Sequence, residues 1–157
     1  MRFPALTALL LLASSFVSAR TAASATPGSA TASQTKNSQA TVYIYRGKHF
    51  VGGAFAPSVF CDDFELARMT NGRFLVAKFA AGKHLFRSND NQEGIDLDLK
   101  GGQDYYIRME VGPSSMKGRL VLVASEEAGD EIKKLKPLDA ANVKDSDHVI
   151  DASLGTK

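Results

Sequence analysis

The chain has 157 residues, 44% of them hydrophobic and 23% charged, with a net charge of +2, no tryptophan and one cysteine. A charge so near neutral gives no field to hold nucleic acid or an anionic membrane surface, and a lone Cys61 excludes an intrachain disulfide. A single domain held together by its apolar core fits this length.

The chain begins with a targeting pattern. Met1-Arg2 supplies a positive charge, Ala5 to Val17 is apolar except for Thr7, Ser14 and Ser15, and Val17-Ser18-Ala19 offers the small residues a signal peptidase accepts. This predicts a signal peptide over residues 1–19, cleaved after Ala19, and a periplasmic or secreted protein. The run falls short of the roughly 20 apolar residues of a membrane span, so no stable span is expected after cleavage. Residues 20–39 are mostly Ala, Ser, Thr, Gly, Pro, Asn and Gln, a composition that cannot bury enough surface to offset the entropy of ordering, and they predict a flexible linker.

Order is expected from residue 40 to residue 138. Thr41 to Tyr45 is β-branched and aromatic and predicts the first strand. Gly47 to Pro57 follows as a long irregular loop, and Ser58 to Cys61 as the second strand. Asp62-Asp63 turns the chain into Glu65 to Met69. Asn71-Gly72 predicts a two-residue type I′ hairpin into Arg73 to Phe79, since both residues tolerate positive φ. Lys83 to Ser88 and the alternating Ile95-Asp96-Leu97-Asp98-Leu99-Lys100 supply two further strands.

Gly101-Gly102 leads into Asp104 to Val111, where Tyr105, Ile107, Met109 and Val111 share one face and Tyr106, Arg108 and Glu110 the other. Leu120 to Ala124 and Phe74 to Ala77 are apolar on both faces, which predicts central strands covered on both sides. From Ser125 the spacing of Ile132 and Leu135 predicts a short helix, with Glu126 and Glu127 at its positive end, lysines after it and Pro137 as its stop. Residues 139–157 are polar and predict a disordered tail. Turn residues roughly every ten positions make the whole an all-β, small antiparallel β-sandwich of about seven to eight strands with a short C-terminal helix.

Tyr43-Ile44-Tyr45-Arg46, Ser58-Val59-Phe60-Cys61-Asp62, Asn71-Gly72-Arg73-Phe74, Gly82-Lys83-His84 and Glu131-Ile132-Lys133-Lys134-Leu135 together form a pattern. It resembles a bacterial family of exported domains of unknown function. The part around Gly82-Lys83-His84 is also similar to PEGA-type surface modules, with Ala80-Ala81 where a proline is usual. The resemblance covers about Thr41 to Leu138, implies a small β-sandwich, and transfers no catalytic residue.

Nothing in the chain reads as a nucleophile elbow, a phosphate loop or a helical metal motif. His49, His84 and His148 are scattered along the sequence, so no metal and no cofactor is expected; His84, just after a turn glycine, reads as a residue that fixes a hairpin through a loop carbonyl. Cys61 ends an apolar strand and reads as a small core residue. Asp96 and Asp98 lie two apart on a strand, with side chains about 7 Å apart on one face, a separation that glycosidase carboxylates share. A glycan-acting hydrolase using that pair is the competing class, and an assembly subunit adding strands at the Thr41 to Tyr45 edge is another.

Strand alternation yields the sharper expectation. It sends Asn71-Gly72, Asn89 to Glu93 and Gly112 to Met116 to one end of the sandwich, and the tight turns at Asp62-Asp63, Ala81-Gly82 and Gly101-Gly102 to the other. The Gly47 to Ala56 loop joins the first group. The sequence therefore points to a non-catalytic envelope binding module recognising a polymer or a protein partner, with Lys48, His49, Phe50, Asn89, Asp90, Asn91 and Lys117 as its contacts.

Overall fold

A computed structural model of the chain describes residues 38–50, 52–89, 94–112 and 118–150. The expected signal peptide, nearly all of the expected linker, and the site residues Asp90, Asn91 and Lys117 lie outside the described residues.

The fold is all-β, with two sheets and one short helix among the described residues. The strands are β1 (Gln39–Arg46), β2 (Ser58–Cys61), β3 (Phe64–Arg68), β4 (Arg73–Ala80), β5 (Gly82–Ser88), β6 (Gly94–Leu99), β7 (Asp104–Val111) and β8 (Gly118–Val123). Helix α1 (Ser125–Ile132) follows, then the two-residue strands β9 (Lys136–Pro137) and β10 (Val149–Ile150). One sheet runs β10-β4-β1-β7-β8, with β9 also on β4, and the other runs β3-β2-β5-β6.

Alternate residues of the strands meet between the sheets. Val42, Ile44, Leu75, Ala77, Phe79, Ile107 and Met109 come from the first sheet, and Val59, Cys61, Leu66, Phe86, Leu97 and Leu99 from the second, all buried in one cluster. Each large side chain in it contributes roughly 1.5–3 kcal/mol of burial. Gly118 marks a close approach of the two sheets, because a Cβ there would lie 2.4 Å from Ser88 Oγ.

The sandwich is mixed rather than purely antiparallel, since β1 pairs with β7 in parallel and β4 with β9 in parallel. From β1 to β8 successive strands reverse direction, whereas β9, after the helix, runs parallel to β4 and breaks the alternation. Strands β1 and β7 therefore point the same way, and β7 docks directly beside β1. Neighbour choice, which the strand pattern does not encode, makes that pair parallel. It also places β1 between β4 and β7, so Thr41 to Tyr45 is no edge and cannot receive an added strand.

Three further expectations differ. Asn71-Gly72 joins strands of different sheets and is not a hairpin turn; Gly72 alone of the two has positive φ, at 70°. Strand β8 is an edge, not a central strand, and its Leu122 stands 49% exposed. The segment from residue 139 to Ile150 is no loose tail: a 3-10 turn at Ala140–Asn142 leads to a bridge between Val143 and Ala67, and β10 pairs with β4. Leu138 and Val149 pack on the core, and that apolar anchorage orders the polar residues between them.

Candidate functional site

Main-chain pairing fixes which loops share an end. Arg46 sits opposite Arg73, Tyr45 lies in parallel register with Arg108, and Asn89 N–H donates to Ser58 O at 2.9 Å. The 47–57 loop, the Asn71-Gly72 turn, Asn89 and Gly112 therefore gather at one end. At the other, Ala81 N–H donates to Ser38 O and Gly102 N–H to Gln39 O, both at 2.8 Å.

Two side chains build the wall of the loop end. Arg46 is fully buried, and its guanidinium donates to Met69 O at 3.0 Å, to Gly52 O at 2.8 Å and to Phe55 O. Burial lowers its pKa. The carbonyls of Gly52 and Phe55 thus hold the loop to the last strand residue that precedes it, and that of Met69 ties in the chain after β3. On the outside, His49 N–H donates to Asn71 Oδ1 at 2.9 Å and Asn71 Nδ2 donates back to His49 O at 2.8 Å. Lys48 lays its aliphatic stem over Gly72, where a Cβ would come within 2.6 Å of it.

This wall bounds a groove of about 880 Å³ over the outer face of β7 and β8. Lys48, His49, Arg119 and Lys134 rim it, and Val111 and Leu135 add apolar surface. Helix α1 forms the far side. It docks through buried Ala128 and through Arg108, which donates to Glu127 Oε1 at 2.8 Å, to Glu131 Oε1 at 3.2 Å and to Glu110 Oε1 at 3.2 Å. Glu127 first and then Glu131 raise the Arg108 pKa. Tyr45 is buried beside them, and burial followed by Glu131 pushes its hydroxyl up. Arg108 is thus spent on architecture. Lys48 and Lys134 carry no ion pair among the described residues and point charge at the groove.

Of the expected contacts, Lys48 and His49 line the groove, and Phe50 is fully exposed beside them. Asn89 does not join them as a free contact: its Oδ1 accepts from Ser58 N–H at 2.9 Å, and with φ at 51° it serves the turn. The sequence missed Arg119, Lys134 and Leu135, because the helix end had no visible reason to stand over β7. The Glu127 and Glu131 spacing, i and i+4, opposite an arginine on an outward face was the available signal.

Asp96 and Asp98 stand exposed on β6, an edge of the second sheet. Lys100 bonds Asp98 at 2.7 Å and holds its carboxyl below the usual range. A glycosidase general acid needs the opposite shift. Tyr106, on the same face of β7 as Arg108, stacks on Tyr43 with ring centroids 4.9 Å apart.

The tight-turn end holds a second cluster. Cys61 Sγ lies 3.8 Å from Asp62 Oδ2 and 3.8 Å from His84 Nδ1, and Nδ1 lies 2.8 Å from Asp62 Oδ2. His84 Nε2 is 3.0 Å from Ala80 O, a main-chain carbonyl as expected, but Ala80 ends β4 and β5 lies in the other sheet, so the contact ties a sheet-to-sheet turn and not the hairpin expected there. Burial, then the Asp62 charge, pushes the Cys61 thiol far up, so it is no ready nucleophile. Scatter in sequence concealed this grouping: the pairing of β2 with β5 brings positions 61 and 84 together.

Among the described residues no helix is long and apolar enough to cross a membrane. No curated protein and no solved structure matches the chain. One family model does, over residues 36–119, which reach from ahead of β1 into β8 and make up more than half of the chain. The chain accordingly belongs to the family described as Protein of unknown function (DUF2846).

Proposed function

We propose that this chain is an exported, non-catalytic binding module of the cell envelope, and that it holds a polymer or protein partner in the groove at its long-loop end. The leader-like residues 1–19 and the polar stretch after them support export and a spacer. The PEGA-like pattern around Gly82-Lys83-His84 supports a surface role.

The observation that carries the reading is the groove itself. Its loop wall is pinned by a buried arginine, its floor belongs to a sheet, and two lysines without an ion pair among the described residues face it. A preformed wall of this kind lowers the ordering cost of binding. Both acids that line the groove, Glu110 and Glu131, are held by Arg108, and Arg119 shares Glu110 at 3.5 Å, which leaves Lys48 and Lys134 as its free charge, so the fitting ligand carries carboxylate or phosphate groups beside an apolar stretch. His49 adds an imidazole contact at the same rim.

Sedimentation of the purified protein with insoluble cell-wall polymer, and titration with an acidic peptide, test the reading. Lys48→Glu with Lys134→Glu is expected to abolish whichever binding is found. Asp96→Asn with Asp98→Asn is expected to leave it unchanged. Soluble sugar released by the native protein and not by that aspartate pair would replace binding with hydrolysis as the function.

A further inference from the structure

We propose that Cys61, Asp62 and His84 form a binding site for one divalent zinc-class ion at the tight-turn end of the sandwich. The three donor atoms, a sulfur, a carboxylate oxygen and an imidazole nitrogen, face one another at 3.8, 3.8 and 2.8 Å. Tetrahedral zinc with ordinary bond lengths sets its sulfur and nitrogen ligands about 3.6 Å apart and its nitrogen and oxygen ligands about 3.3 Å apart. Moving Asp62 Oδ2 from His84 Nδ1 by about half an ångström therefore opens the triangle to fit an ion.

The fold aims each donor independently of any ion. Cys61 closes β2 and is 2% exposed, yet its thiol faces the two polar groups. Asp62 is the first turn residue, and its Oδ1 accepts from Leu85 N–H at 2.9 Å, leaving Oδ2 to point at the cluster. His84 has Nε2 against Ala80 O, so a proton held on Nε2 donates there and leaves the Nδ1 lone pair for a metal. Outer contacts of this kind characteristically orient metal ligands.

A hydrogen bond between Asp62 and His84 explains two of the three groups. The third, the buried thiol, reaches the same Asp62 Oδ2 only through a long S–H···O bond at 3.8 Å, beside a carboxylate that disfavours its ionisation. An ion uses all three. Thiolate and imidazole together select zinc over magnesium or calcium. On loading, the thiol proton and any proton on Nδ1 leave to solvent, and sulfur and nitrogen donate their lone pairs to the ion. The Asp62 side chain is 44% exposed, which gives a water access to the fourth position. The site would tie the β2–β3 turn to β5, a staple for a domain without a disulfide.

The test titrates the full, folded chain with Zn²⁺ alone and with Co²⁺ alone. Expected are one equivalent taken up saturably, a thiolate-to-metal absorption band with Co²⁺, and a melting temperature raised by several degrees in excess Zn²⁺. Cys61→Ser is expected to remove the band and weaken binding more than about a hundredfold, beyond the loss typical of outer contacts. Asp62→Asn, at a half-exposed position, does the same for affinity where the cysteine variant fails to fold. Glu126→Gln, exposed on α1, is expected to leave metal uptake unchanged. Absence of saturable uptake, or uptake unaltered by Cys61→Ser or Asp62→Asn, overturns the proposal. The groove reading stands or falls separately.

Discussion

His49 and Asn71 exchange two hydrogen bonds, main chain to side-chain amide and back, at 2.9 and 2.8 Å across a gap of 22 residues. The pair converts an exposed loop into a fixed wall. Asn71→Ala is expected to cost about 1 kcal/mol, the usual net worth of such bonds, and to speed amide exchange at His49 far more than in β1. Hydrogen exchange with mass or NMR detection checks both.

Arg46 works the same loop from inside. Arg46→Met keeps the volume of the stem but leaves the carbonyls of Gly52, Phe55 and Met69 without their donor, and a loss of about 3 kcal/mol or more is expected in urea unfolding. Arg46→Lys restores charge but not the fork, so it is expected to recover less than half of that loss.

Gly72 and Gly102 make a matched pair, with φ at 70° and 75°. Alanine at Gly102 meets nothing within 4 Å and bears only the left-handed backbone penalty of about 1 kcal/mol. At Gly72 it also meets the Lys48 stem at 2.6 Å. Gly72→Ala is therefore expected to weaken ligand binding at the groove as well as stability, whereas Gly102→Ala leaves binding intact.

Asp145 bonds His148 Nδ1 at 2.6 Å and ties the C-terminal segment. Burial alone would raise its carboxyl pKa, but the His148 side chain and the N–H groups of His148 and Asp147 outweigh that and hold it below the ordinary value of 3.8. A depressed carboxylate contributes its stability above the unfolded value and loses it as pH falls through the folded one. Asp145→Asn is thus expected to unfold more easily than the native chain at pH 7, with the difference shrinking below about pH 4. Denaturation series at several pH values measure it.

Strand positions were legible because alternation is a local property: Ile95, Leu97 and Leu99 announce β6 without reference to any partner. Loop ends were legible too, since reversal of direction needs only a count. Which strands pair was not. Nothing in Thr41 to Tyr45 says that β7 will lie beside it, so the parallel pair, the buried position of β1 and the edge position of β8 emerged only from packing. Lys48 and His49 were visible as loop residues. Lys134 and Leu135 were not, because their place depends on Arg108 holding a helix against an outward face. The polar run from Asp139 hid its own anchor, since Val143 and the Val149-Ile150 pair are short apolar interruptions in a stretch that otherwise reads as tail.

Strands β9 and β10 lie along the same margin of β4, one against Arg73 and Phe74, the other against Val76 and Ala77. They work as a selvage, finishing that one margin of the cloth so that a second piece is not sewn to β4. A proteolytic cut just before Val149 would strip half of that hem, and the product to look for is not a looser monomer but a pair of molecules joined along β4.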